Sequence, residues 1–326
     1  MSRILVWVLT GERTGDNNQV LALADALELP FEVKRLDYNA LHSLSVWLPP
    51  TVVTLTRAAR LGLQPPWPDL VITIGRRSVP AARWIKRQNH GRTKLVHIGH
   101  PRIDPGLFDL VITTRQYPVP PGDNVVLLPV AMSRYVAPPV PTAEETAWLD
   151  AVPSPRTLVA IGGATKYWTL STARIERIVA DAPPGRSMVV ATSRRTEAAL
   201  VERLRKIAAA NRDIRLVDGP SPGFAVLLAA AEEIYVTGDS ISMLSEAVLT
   251  GKPVALIPID QDDKGRRKLG PTPHESGPDA RRRDLRRFWN HLIEEGLVGT
   301  VKSGPKHAAA IPDPRRIAAN AVRRLL

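Results

Sequence analysis

The apolar residues of this chain fall into short, near-continuous runs separated by polar and helix-forming stretches. Runs such as Ile4–Leu9 and Leu70–Ile72 place Val, Ile and Leu on successive rather than alternate positions, so both faces of the element need cover, as in a central parallel strand. On this pattern the first half predicts strands over Arg3–Thr10, Phe31–Tyr38, Asp69–Ile74, Lys94–Gly99, Phe108–Thr113 and Val125–Pro129. Helices are predicted over Asn17–Leu27 and Val79–Asn89. The second half repeats the alternation, with strands over Thr157–Ile161, Ser187–Ala191, Arg215–Val217, Glu233–Val236 and Val254–Ile257. Its helices are predicted over Ser171–Ala180, Glu197–Ala209, Phe224–Ala230 and Ser242–Thr250.

Strand–helix alternation in both halves gives an α/β fold class: two Rossmann-like, doubly wound domains facing a cleft. The first domain is expected over 1–140 and the second over 157–310. A linker is expected over 141–156, where Pro138, Pro139 and Pro141 lead into Thr142-Ala143-Glu144-Glu145, whose spacing is that of a capping box opening a short helix to Ala151. The terminal stretch 311–326 carries an amphipathic, basic helix from Pro314 that is expected to pack back on the first domain.

A chain of 326 residues with 44% apolar content is long enough for two cores. It has no cysteine, which excludes disulfides, zinc–thiolate sites and thiol catalysis and fits a reducing cytoplasm. No apolar run reaches the roughly 18–20 residues of a membrane span, and the start does not read as a secretory signal. The net charge of +12 favours anionic partners. Much of the excess lies in Lys264, Arg266, Arg267, Lys268 and the arginines at 281–283, 286 and 287, in a Gly- and Pro-rich stretch expected to be a mobile insertion. A second feature bearing on partners is Leu41–Leu48 with Arg57 and Arg60 nearby: it either packs into the core or seats the protein on an anionic membrane.

In open α/β sheets, ligands bind beyond the carboxyl ends of the strands. The most informative such loop is Val236–Val254, which reads as strand, small-residue turn, helix and strand. Gly238, Ser240 and Ser242 stand where the helix begins, and free N–H groups with the positive end of the helix dipole suit a phosphate there. Glu246 follows Ser242 by four residues on the same helix face and is placed to take a ribose diol. Gly162 and Gly163 permit close approach of a phosphate, to which Lys166 adds a charge. Ser193 and Arg194 follow the next strand, and Thr196 is expected to cap the helix after it. Asp260 and Gln261 are expected to contact hydroxyls; Asp260 and Asp262 also have the D-x-D spacing that can hold a divalent metal, the less favoured reading. Asp16 is placed either as a helix N-cap or as a general base. His100 follows a strand, and no histidine pair has zinc-ligand spacing. A P-loop and a G-x-S-x-G elbow are both missing, which argues against an ATPase and an α/β-hydrolase.

Taken in order, the stretches Gly15–Gln19, Pro68–Ile72, His100–Arg102, Phe108–Val111, Ile161–Gly163, Thr192–Thr196, Thr237–Pro253, Arg287–Asn290 and Leu292–Gly296 resemble the mitochondrial-fission-factor-like family (the plant elongated-mitochondria family), whose members look like glycosyltransferases. The resemblance implies a GT-B fold with the donor on the second domain and an acceptor on the first. It puts Gly162, Gly163 and Lys166 near the diphosphate, Ser193 and Arg194 near base or phosphate, Ser240 and Ser242 on phosphate, Glu246 on ribose, and Asp260 and Gln261 on the sugar. It also implies Asp16 as the base acting on the acceptor, with Gly15, Asn18, His100 and Arg102 on the acceptor side. A departure stands at Ala131-Met132-Ser133-Arg134, where the family pattern leads one to expect Gly-x-x-His-Arg.

The function implied is a metal-independent, inverting transfer of sugar from a nucleotide-sugar to a lipid or envelope-glycan acceptor. No metal and no separate cofactor are expected, a UDP-sugar being the favoured substrate. The expected partners are the nucleotide-sugar, the acceptor and an anionic membrane in peripheral contact, with no nucleic acid. The expected location is cytoplasmic, on the inner face of the membrane. Two alternatives stand beside it: a membrane-surface recruitment or scaffold protein with an inactive sugar-nucleotide site, and a nucleotide-sugar epimerase.

Overall fold

A computed structural model describes residues 4–134, 138–273, 282–307 and 310–326. The chain divides into two compact units, Met1–Arg134 with Pro312–Leu326, and Tyr135–Ile311. The first contains β1 (Val6–Thr10), α1 (Thr14–Leu27), β2 (Phe31–Arg35), α2 (Arg57–Leu61), β3 (Leu70–Ile74), α3 (Val79–Gln88), β4 (Lys94–Ile98), β5 (Leu110–Thr114) and β6 (Val125–Leu128). Its six strands form one parallel sheet in the order β2-β1-β3-β4-β5-β6.

Successive residues of the central strands point into separate cores, which is why the apolar runs are unbroken. Val6 and Val8 join a cluster with Val20, Leu23 and Leu27 of α1, whereas Trp7 and Leu9 join one with Val79, Ala82 and Ile85 of α3. The C-terminal helix Pro314–Arg323 adds Ala318, Ala319, Ala321 and Val322 to the α1 side, and Arg323 donates to the Ala26 carbonyl. On the same side Arg134 pairs with Asp25 at 3.0 Å, next to the buried Ser133 that stands at the departure from the family pattern. β2 ends three residues earlier than predicted, because this edge strand keeps one face in solvent and carries Glu32, Lys34 and Arg35.

The second unit contains α4 (Ala143–Asp150), β7 (Arg156–Ile161), β8 (Trp168–Thr169), α5 (Thr172–Ala180), β9 (Ser187–Thr192), α6 (Ala198–Ala210), β10 (Ile214–Val217), α7 (Phe224–Ala230), β11 (Glu233–Thr237), α8 (Ile241–Leu249), β12 (Pro253–Ile257), β13 (Asp260–Gln261), α9 (Asp263–Leu269), α10 (Leu285–Glu294), β14 (Gly299–Thr300) and β15 (Lys306–His307). The terminal helix is α11 in this count. The main sheet runs β10-β9-β7-β11-β12-β14 in parallel, with β15 antiparallel to β12. β8 and β13 form a separate antiparallel ribbon.

Three expectations change here. The passage 141–156 is part of the second unit: the capping box at Thr142 forms, and its Glu145 also accepts from the Gly223 N–H at 2.8 Å. The two ends of the basic stretch are helical: Asp262 caps α9 and Asp284 caps α10. The half-buried Arg286 guanidinium ties the two by bonding Asp284 and the carbonyls of Leu269, Gly270 and Pro271 at the end of α9. Residues 274–281 of that stretch lie outside the described residues. Finally, Leu41–Leu48 does not enter the core: Leu41, Leu44 and Trp47 are exposed around a 3-10 turn at Ala40–Leu44.

Candidate functional site

Each sheet reverses direction of growth once, between β1 and β3 in the first unit and between β7 and β11 in the second. Loops leaving the two neighbouring strands diverge there and leave a crevice at their carboxyl ends. The chemistry-bearing residues collect at these two places.

In the second unit the crevice is occupied by a bonded network. Asp239 follows β11, and its carboxylate is wholly buried. It accepts from the Gly163 N–H at 3.1 Å, the Thr237 hydroxyl at 2.6 Å and the Arg195 guanidinium at 2.6 Å. Burial of a carboxylate is tolerated because donors surround it and one of them is charged. Thr237 also receives the Gly162 N–H at 2.8 Å. The two glycines have a steric reason: a Cβ on Gly162 would lie 2.1 Å from an Asp239 oxygen, and one on Gly163 would lie 1.9 Å from the Arg195 carbonyl oxygen. A third glycine, Gly238, leaves room for Trp289, whose indole N–H donates to the Gly238 carbonyl at 2.9 Å. Trp168 meets Trp289 edge-on, with ring centroids 5.1 Å apart, so α10 and the β8 hairpin support the loop from one side.

At the head of α8, the Ser240 side chain accepts from the Met243 N–H at 3.3 Å and so serves as N-cap. The N–H groups of Ile241 and Ser242 are in the first helical turn, which has no earlier residues to bond within the helix. The negative charge of Asp239 is turned inward and matched by Arg195, leaving the dipole end suited to an external anion. Ser242 and Glu246 both lie on α8, four residues apart and half-buried.

After β9, Arg195 rather than Arg194 bonds the network, and the exposed Arg194 has interactions of its own. Thr196 is not the cap of α6, whose N-cap is Glu197. Its hydroxyl bonds the Gly162 carbonyl at 2.6 Å and receives the Ser193 N–H at 2.9 Å, locking this loop against the glycine pair. The Ser193 hydroxyl accepts from the Arg195 N–H at 3.2 Å. Lys166 stands exposed in the turn between β7 and β8, its ammonium 4.9 Å from the Tyr167 ring. Burial alone would raise the Tyr167 hydroxyl, but Lys166 and Arg282 beside it bring the net shift below the ordinary value.

Asp260 and Gln261 are engaged within the protein. Asp260 takes a two-pronged bond from Arg174, at 3.2 and 3.1 Å. Gln261 pairs with Trp168 in the ribbon and donates to the Gly270 carbonyl at 3.2 Å. With Asp262 capping α9, the D-x-D spacing serves local structure. Lys252, at the end of the most informative loop, donates to the carbonyls of Leu228, Ala229 and Ala231 and so closes α7.

The first-unit crevice is open. A cavity of about 120 Å³ lies between the loop after β1 and the loop after β3, with Tyr38 on a further wall. Asp16 lines it as the third residue of α1, three positions inside the helix; the N-cap is Arg13, so the capping expectation for Asp16 is overturned. The predicted start at Asn17 was late, because Thr14 and Gly15 already take helical geometry. A Cβ on Gly75 would lie 3.9 Å from Asp16 Oδ2, which brings the two loops to van der Waals range across the cavity. Asn17 fixes the first loop by exchanging two 2.8 Å bonds with Gly11. Arg77 pairs with Glu12 at 3.2 Å and lies over the Tyr38 ring, whose hydroxyl burial holds above its ordinary value.

Gly15 and Asn18 lie on α1 but outside the cavity lining, where Asn17 takes the expected place. His100 and Arg102 also lie away from it, one strand further along after β4. His100 Nδ1 accepts the Arg102 N–H at 3.0 Å in a turn of their own. Burial, with Arg102 alongside, lowers the His100 pKa to about 4.

Residues that sequence reasoning left without a role are Asp239, Arg195, Thr237, Trp289 and Asn17. One signal was legible: paired glycines after β7 imply that something large occupies the space their side chains would fill.

The family model described as mitochondrial fission ELM1 matches residues 14–325. The mitochondrial fission protein ELM1 of Arabidopsis thaliana is 29% identical over 242 residues, which cover 63% of this chain and 55% of that protein, so the chain spans about half the length of this curated relative. Among solved structures, UDP-GlcNAc 2-epimerase from Neisseria meningitidis bound to UDP-GlcNAc superposes with a TM-score of 0.53 at 11% identity, covering 99% of each chain. The spinosyn forosaminyltransferase SpnP gives 0.53 at 15% identity, again covering 99% of each. The two Rossmann-like units therefore have the GT-B fold.

Proposed function

The chain belongs to the mitochondrial fission ELM1 family, and from that premise we propose that it binds a nucleotide-sugar on its second unit and transfers the sugar to an acceptor hydroxyl. The observation that carries this reading is the glycine pair Gly162-Gly163, held by Thr237 and Asp239 beside the head of α8 at the sheet's reversal point. The glycine N–H groups are taken up by Thr237 and Asp239, so the donors for a diphosphate are the first-turn N–H groups of α8 that this network holds in place, and Glu246 one turn along α8 takes the ribose diol. Asp16 takes the proton from the acceptor hydroxyl. The acceptor oxygen then bonds to the anomeric carbon, the bond from that carbon to the diphosphate breaks, and the anomeric configuration inverts. Lys166 and the N–H groups of α8 receive the charge of the departing diphosphate. These groups carry the charge that a divalent ion carries in other transferases, so the reading is metal-independent. The acceptor class is a lipid or envelope glycan, and the favoured donor is a UDP-sugar.

A second reading, epimerisation of the nucleotide-sugar, is favoured by the likeness to UDP-GlcNAc 2-epimerases. Incubation with a UDP-sugar and no acceptor separates the two: an epimerase yields the epimer, while a transferase leaves the sugar unconverted or releases it slowly to water.

Thermal stabilisation by UDP, GDP, CMP and dTDP tests the shared core of both readings. A ligand at about 100 times its dissociation constant adds roughly 2.7 kcal/mol, a shift of several degrees. Selective stabilisation by UDP is the expected result. Equal, negligible shifts with all four on folded protein would leave the scaffold alternative with an inactive site.

A further inference from the structure

The first unit carries a face that its own fold leaves uncovered. Leu41, Leu44, Trp47, Val53 and Leu61 are all exposed, and Trp47 is 85% so. They lie on one cross-linked stretch, the 3-10 turn at Ala40–Leu44, the loop after it and α2. The Val53 carbonyl accepts from Asn39 Nδ2 at 2.7 Å and from Arg60 Nη2 at 3.0 Å, and the Leu55 carbonyl from the same two side chains at 3.1 and 2.9 Å. Ser45, buried between the exposed positions, fixes the 3-10 turn through the His42 carbonyl at 2.7 Å. Large apolar side chains are thus held outward on an ordered framework, which a monomer in water does not need.

The charge of this segment points to the occupant. From Tyr38 to Pro68 the sequence contains no Asp or Glu, while Arg57 and Arg60 are exposed beside the apolar positions. Exposed Trp and Leu rimmed by arginine suit the boundary between lipid headgroups and acyl chains, where indole rings settle and cations meet phosphate. Among the described residues no helix is long and apolar enough to cross a bilayer, so contact through this face is peripheral. We propose that residues 39–61 form a docking surface for an anionic bilayer, with Trp47 entering the headgroup region and Arg57 and Arg60 meeting lipid phosphates. The face adjoins the first-unit cavity: Tyr38, which lines that cavity, is bridged to Leu55 in the docking loops. Docking therefore brings the Asp16 cavity beside the headgroup layer, where an amphiphilic acceptor resides.

The test is sedimentation of the full chain with vesicles, in the absence of nucleotide, using phosphatidylcholine alone and phosphatidylcholine mixed with phosphatidylglycerol. Binding to the mixed vesicles at low salt, weak binding to the neutral ones, and a loss of about tenfold in affinity for Trp47→Ala are expected. Arg57→Gln should lose about fivefold. Because Trp47 and Arg57 are exposed, both variants should keep the wild-type circular dichroism spectrum and melting curve. Wild-type protein that ignores anionic vesicles overturns the proposal, as does equal binding by Trp47→Ala, which would move the contact to α9 or elsewhere. Sedimentation velocity without vesicles covers the remaining occupant: a wild-type dimer lost in Trp47→Ala would make the face an interface between copies. Nucleotide has no part in these measurements, so their failure leaves the sugar-nucleotide reading untouched.

Discussion

The two reversal points of this molecule solve the same topological problem in opposite ways. In the second unit the loops after β7, β9 and β11 are bonded to one another through Asp239, and the glycines there exist because other atoms fill their side-chain space. In the first unit the loops after β1 and β3 border a cavity and are joined at its rim through the partly exposed Glu12–Arg77 pair, while Asn17 secures the first loop to itself. A site of the first kind is paid for by fold stability and arrives preorganised. A site of the second kind contributes little to stability and leaves room for a variable substrate. The contrast suits a fixed nucleotide on one unit and an acceptor of open identity on the other, and mutations should separate the two.

The largest effect is expected at Asp16. Asp16→Asn keeps the shape and removes the base, so transferase turnover should fall about 10²–10⁴-fold. The melting temperature should stay within about a degree, since Asp16 lines a cavity and is not the cap of α1. Steady-state kinetics with a radiolabelled donor, beside a melting curve, checks both halves. A large fall in stability would mean that the first-unit site is also part of the structural frame.

Gly163→Ala should do the reverse. Its Cβ would lie 1.9 Å from the Arg195 carbonyl, and that loop is pinned by Thr196 to the Gly162 carbonyl. Backbone must move, at a cost of about 3 kcal/mol, which lowers the melting temperature by roughly 6–12 °C. Calorimetry on the purified variant reads this directly. An unchanged melting temperature would show that the second-unit loops yield easily and would dissolve the contrast.

Glu246→Ala sharpens the comparison from the ligand side. Loss of one charge-assisted pair with the ribose should weaken nucleotide binding about tenfold, close to 1.4 kcal/mol, with stability little altered. Titration calorimetry with UDP measures it, and unchanged affinity would put the ribose elsewhere.

What the sequence reveals follows the same division. The main strands of both sheets were legible, because strands buried on two faces leave unbroken apolar runs and helices between them keep their spacing; their order, and with it the reversal points, was not, since it is set by long-range pairing. The loop positions of Gly162, Gly163, Ser240 and Asp16 followed from those strands. The partners inside the second-unit network did not: Asp239 and Arg195 are 44 residues apart, and nothing local distinguishes Arg195 from Arg194. The apolar spacing of Leu285, Phe288, Trp289 and Leu292 is that of a helix face and was present in the sequence, but the surrounding arginines and glycines make it read as loop. The exposed position of Leu41–Leu48 was the hardest to see, since an apolar stretch is ordinarily core and only tertiary structure shows what covers it.

The smallest effect concerns acid. His97, wholly buried on β4 against Phe108, has its pKa lowered to about 3, chiefly by burial and further by His100. In the folded chain the ring stays neutral down to that value, whereas the unfolded chain takes up a proton near pH 6.5. The unfolded state therefore binds more protons between those limits. The stabilisation is complete above about pH 6.5 and is lost progressively as pH falls toward 3. Over the single step from pH 7 to pH 6, one such group removes about 0.7 kcal/mol. His97→Leu deletes that contribution and leaves the one from His100, so the decline of the urea midpoint between pH 7 and pH 6 should be shallower in the variant than in wild type. Equal slopes would mean that His97 is protonated to the same extent in both states, and the acid sensitivity of the first unit would then rest on His100 at the edge of its β4–β5 turn.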